Sequence, residues 1–68
     1  MVNIRRDTII KKGDVLLSEK SEERWEVKDM IGAKIYVRNS NSKSEKIMFK
    51  NDLIINHWNL IVNDRGYW

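Results

Sequence analysis

The chain has no cysteine and no proline, a single histidine, and only three glycines among 68 residues. Each shortage closes a route. Without cysteine there are no disulfides to staple a small core and no thiolates to hold a metal, a composition that fits a reducing, cytoplasmic setting. Without proline, an exposed strand edge lacks the residue that most simply blocks pairing. Glycine stands only at positions 13, 32 and 66, so no Gly-rich phosphate loop can be written. His57, between Asn56 and Trp58, provides neither a metal cluster nor a triad and reads as a hydrogen-bonded structural side chain. The serines at 18, 21, 40, 42 and 44 sit in polar stretches with no nucleophile elbow around them.

Long apolar runs are missing as well. The most apolar stretch, LIINHWNLIV, is broken by Asn56, His57 and Asn59 and falls far short of the ~20 residues of a membrane span. The opening MVNIRRDTIIKKGD scatters charge from Arg5 onward and does not read as a secretory signal. A chain of this length makes one domain, residues 1–68. Its core is thin, and a ligand pocket of ~300 Å³ or more would be hard to house. These absences lead to the expectation of a cytoplasmic protein that is not an enzyme, with no cofactor, no metal, no small-molecule substrate and no membrane partner.

What is present is mostly a period of two. KKGDVLLS turns at Gly13-Asp14 and enters the apolar run Val15–Leu17. RWEVKD alternates, with Trp25 and Val27 on one side. MIGA turns at Gly32, and KIYVRN alternates again with Ile35 and Val37 inward. SNSKSE is a polar loop, after which KIMFK places Ile47 and Phe49 inward. Asn51-Asp52 can cap a single turn of helix over LIINHW, and WNLIV closes as a strand. The pattern predicts an all-β fold, a small antiparallel barrel of about five strands with one short helical turn before the last strand. The expected core is Val15, Leu17, Trp25, Val27, Ile35, Val37, Ile47, Phe49, Leu53, Trp58 and Leu60. Residues 1–10 form an N-terminal arm or first strand, and residues 63–68 a C-terminal tail.

The KGD turn, the RWEVKD and KIYVRN pair, and the NDLIINHW turn before a last strand resemble an SH3-like small barrel over roughly residues 11–62. In size and layout the chain is similar to the short SH3-like proteins common in phage and mobile-element genomes of bacteria. That resemblance implies an intracellular protein that acts by contact, without chemistry of its own.

Net charge is +3, but its distribution is more informative. Residues 14–29 are mainly acidic and residues 34–50 mainly basic. If KIYVRN and KIMFK pair, their outward row is Lys34, Tyr36, Arg38, Lys46, Met48 and Lys50. Three readings of that row stay open. It can be a solvated strand face; a protein contact, since Tyr, Met and Arg suit interface cores; or a nucleic-acid face, with Tyr36 stacking and the cations holding phosphates. Secondary contacts are offered by Arg5, Arg6, Lys11 and Lys12 near the start and by Tyr67 and Trp68 at the end. The leading expectation is a protein-interaction module, a phage-type inhibitor or regulator that docks on a larger host protein handling nucleic acid, such as the transcription or replication machinery. The alternative is direct nucleic-acid binding through the basic strand face.

Overall fold

In the computed structural model, residues 2–62 are described. The alternating segments become strands: β1 (Val2–Asn3), β2 (Val15–Leu17), β3 (Arg24–Ile31), β4 (Lys34–Asn39), β5 (Glu45–Phe49) and β6 (Asn59–Ile61), with the short helix α1 (Lys50–Ile55) before the last. They form a six-stranded sheet in the order β1-β6-β2-β3-β4-β5, and every neighbouring pair is antiparallel. The all-β expectation and the helical turn before the last strand both hold. Within residues 1–10, expected as an arm or first strand, β1 pairs Val2 with Leu60 and Asn3 with Asn59.

Turn chemistry sets the registers. Gly32, at φ 60, opens the two-residue turn between Ile31 and Lys34, the position where a type II′ hairpin requires glycine. The β2–β3 and β4–β5 loops share one design without glycine. Ser18 and Asn39 each receive the N–H of the residue four further on, Glu22 and Lys43, and each donates its own N–H to the carbonyl five further on, Glu23 and Ser44. Glu22 (φ 57) and Lys43 (φ 65) take up the left-handed conformation that closes each loop. The first residue's side chain supports the turn from inside: Ser18 Oγ accepts from Ser21 N–H, and Asn39 Oδ1 accepts from Asn41 and Ser42 N–H. Both side chains are buried and both are satisfied, as buried polar groups need to be. The Gly13-Asp14 turn works similarly, with the fully buried Asp14 accepting from Lys11 N–H at 2.9 Å.

One face of the sheet curls around a core of Ile4, Ile10, Leu16, Trp25, Val27, Ile35, Val37, Met48, Leu53 and Leu60, with Ile54 and Trp58 packed against it. The expected inward residues of β3 and β4 are in place. Those of β2 and β5 are out of phase. Leu16 is buried while Val15 and Leu17 are only half-buried, and Met48 is buried while Ile47 and Phe49 are exposed. The cause is register. The loop places Asn39 opposite Ser44, and from there Ile35 pairs with Met48 and Tyr36 with Ile47. Directly opposed residues share a face, so Met48 follows Ile35 inward. In β2 the pairing of Leu16 with Trp25 and Leu60 does the same.

Helix α1 begins one residue before the expected Asn51 cap, with Phe49 at the N-cap and no side-chain cap bond. It ends in a Schellman motif: Trp58 N–H reaches Leu53 C=O, and His57 N–H reaches Ile54 C=O. His57 occupies the left-handed position of this motif (φ 57), where glycine is usual. Its side chain is exposed, so its structural role lies in its backbone and not in a side-chain hydrogen bond.

Candidate interaction face on β3–β5

The outer surface of β3, β4 and β5 is laid out by the ladder in rows. Glu26, Arg38 and Glu45 form one row, Asp29, Tyr36 and Ile47 the next, and Ile31, Lys34 and Phe49 the third. A register shift between Val27 and Asp29 interrupts β3; the extra residue of such a bulge re-aims its neighbours, and Lys28 joins this surface beside Asp29. Tyr36 sits half-buried at the centre. Around it stand three exposed apolar side chains, Ile31 (59% exposed), Ile47 (45%) and Phe49 (42%). A cleft of about 670 Å³ opens here, lined among others by Lys28, Asp29, Ile31, Tyr36, Glu45 and Ile47. The space is an open surface cleft over the strands and not an enclosed ligand pocket.

Of the expected contact row, Lys34, Tyr36 and Arg38 lie together on this face. The other three do not. Met48 is buried against Ile35. Lys46 pairs with the buried Val37 and turns its ammonium over the Trp25 ring, 4.3 Å from the centroid, a cation–π contact that covers the edge of the core. Lys50 is the first residue of α1, not a strand residue, and its Nζ donates to the carbonyls of Arg6 (2.8 Å) and Thr8. It ties the N-terminal loop to the start of α1. The residues that reasoning from alternation missed are Ile31, Ile47 and Phe49. The apolar triplet Ile47-Met48-Phe49 fits either phase of a strand, so period alone had no means to choose.

The secondary candidates Arg5, Arg6, Lys11 and Lys12 are all exposed. They lie between and beside Ile4 and Ile10, which are 1% and 6% exposed, so the segment is anchored at two points and is not a free arm. Tyr67 and Trp68 lie outside the described residues.

Charges of both signs alternate on the face, with Lys28, Lys34 and Arg38 among Glu26, Asp29 and Glu45. Among the described residues one ion pair forms, Lys28 with Glu26 at 3.8 Å, both exposed, a type worth ~0–1 kcal/mol. Asp29 Oδ1 also accepts from Met30 N–H at 2.8 Å. Among the described residues no three His, Cys, Asp or Glu side chains come together as a metal site would need, and no helix is long and apolar enough to cross a membrane. Trp25 Nε1 is buried without an acceptor among them.

No family model matches the chain, and no match to a curated protein or a solved structure was found.

Proposed function

We propose that this chain is a non-enzymatic, cytoplasmic interaction module that works by covering a surface of a larger protein, with the outer face around Tyr36 as its contact. The observation that carries the reading is the make-up of that face. An aromatic centre is flanked by exposed Ile31, Ile47 and Phe49 and ringed by charges of both signs. Exposed apolar patches rimmed by polar groups mark contact sites, and Tyr and Arg are enriched where interfaces are fully desolvated. A partner that itself handles nucleic acid, as the host transcription or replication machinery does, presents basic contacts and acidic carboxylates side by side and so suits a face of mixed sign. The resemblance to phage-type small barrels supports an inhibitory or regulatory role there.

Direct nucleic-acid binding is the weaker reading. Lys34 and Arg38 remain beside Tyr36, but Lys46 and Lys50 are turned elsewhere, and Glu26, Asp29 and Glu45 stand in the same rows. Carboxylates at that spacing repel phosphate.

The test is capture from a bacterial host lysate with wild type and with Tyr36→Ala/Ile47→Ser, alongside titration of a labelled oligonucleotide at low salt. A stoichiometric partner that the folded variant loses by tenfold or more, with no oligonucleotide binding, is the expected result. Oligonucleotide affinity that falls steeply with salt, or a partner held equally by both forms, overturns the proposal.

A further inference from the structure

β5 ends the strand order, and among the described residues its only sheet neighbour is β4. The direction of its backbone groups follows from the loop. Asn39 N–H bonds to Ser44 C=O, and hydrogen-bonded pairs alternate along an antiparallel ladder. The bonded pairs are therefore Val37 with Lys46 and Ile35 with Met48. The N–H and C=O of Glu45, Ile47 and Phe49 point away from β4, along an open edge. Natural edges are usually blunted by proline, a bulge or an inward charge. This edge has no proline and its register with β4 is unbroken; its one inward charge, Lys46, lies over the Trp25 ring, and the edge carries exposed Ile47 and Phe49.

We propose that this edge pairs with the same edge of a second copy, antiparallel about a two-fold axis through Ile47. Charge complementarity selects this occupant. The edge is acidic at one end, with Glu45, apolar in the middle, and basic at the other, with Phe49 lying opposite Lys34. Antiparallel self-pairing sets Glu45 against Phe49 of the second copy, beside that copy's Lys34, and Ile47 against Ile47. On the inner side, Lys46 meets Met48 of the second copy. That position opens on a groove of about 280 Å³ bounded by Asp52, Leu53, Asn56 and Trp58, so pairing draws the ammonium from the Trp25 ring to Asp52 of the second copy. Directly opposed residues carry no like charges, the arrangement that would destabilise the new ladder, and Glu45 and Lys46 each gain an opposite charge one element away, Lys34 and Asp52 of the second copy. An isologous contact of this kind closes on itself and stops at two copies. It also joins the two outer faces into one continuous surface; it shares Ile47 and Phe49 with the proposed contact face, while its own test reads self-association alone.

Sedimentation velocity of the full chain from about 5 µM to about 1 mM spans the affinities that a small interface supports. The weight-average mass is expected to rise from 8.2 kDa toward twice that value, with concentration-dependent amide shifts centred on Ile47. Ile47→Pro removes a donor that faces away from β4, the position where an edge strand tolerates proline. It is expected to stay folded and to weaken association tenfold or more. Lys46→Glu is expected to weaken association, and Lys46→Glu/Asp52→Lys to restore it. A wild-type chain that remains monomeric across the whole range, amide shifts centred elsewhere, or a folded Ile47→Pro that associates as well as wild type each overturn the assignment.

Discussion

At single residues, what distinguishes this chain is how it manages with so little glycine. Glu22, Lys43 and His57 hold φ near +60°, a region that costs an L-residue about 1–2 kcal/mol and glycine almost nothing. Each sits where a loop or helix must reverse, and each is overruled by the bonds around it: the shared loop pattern for the first two, the Schellman pair for His57. That cost is recoverable. His57→Gly and Lys43→Asn are expected to stabilise the fold by roughly 0.5–1 kcal/mol each, the gain being trimmed for glycine by its freer unfolded state. For a domain of this size that is a rise of about 2–8 °C in Tm, read by thermal denaturation. Both side chains are exposed, so no core contact is lost. A fall in Tm for both would mean that the left-handed strain is compensated locally by the native side chains.

At the level of elements, loops decide which faces the strands bury. Asn39 is the clearest case, because its buried amide oxygen accepts from both Asn41 and Ser42 N–H while its backbone closes the β4–β5 hairpin. Asn39→Ala leaves two N–H groups without their acceptor and is expected to cost about 1–3 kcal/mol in urea denaturation, with faster amide exchange concentrated at residues 40–44. A Ser18→Ala counterpart removes the single Ser21 bond, 3.4 Å long, and is expected to cost less. The same loops explain what could be read without the structure. Trp25, Val27, Ile35 and Val37 alternate with charged or polar neighbours, so the faces of β3 and β4 were legible from period alone. Val15-Leu16-Leu17 and Ile47-Met48-Phe49 are apolar in both phases, and a one-residue slip inverts such a strand. Their faces were settled by the partners across the ladder and the loop length, which are long-range information. The three residues of the expected contact row that lie on β4 keep one common face. The half on KIMFK inverted, and a basic row became an aromatic and apolar one.

For the whole molecule, the first ten residues, expected as an arm or a first strand, carry more of the fold than their composition suggests. A basic, fraying arm would contribute little to stability, but here Ile4 and Ile10 belong to the core, Ile4 N–H bonds to Trp58 C=O, and Lys50 holds the intervening loop by its carbonyls. Neither isoleucine lies in a period that points to it: Ile4 is followed by the polar residues 5–8, and Ile10 stands beside Ile9, which is exposed, with nothing in the pattern to say which of the two turns inward. The Cα radius of gyration, 11.1 Å, is close to the ~11 Å of a compact fold of this size. A domain this small has a total stability of roughly 3–10 kcal/mol, while truncating a well-packed isoleucine costs about 2–5 kcal/mol. Ile4→Ala and Ile10→Ala are therefore each expected to lower the urea midpoint markedly. Together they are expected to leave the chain largely unfolded at 25 °C, with coupling between them because they share one cluster. Circular dichroism of the single and double variants makes the comparison. Midpoints indistinguishable from wild type would return the segment to the status of an arm and leave its arginines and lysines free for a partner. A large loss confines their role to the exposed side of a segment whose first task is to close the core.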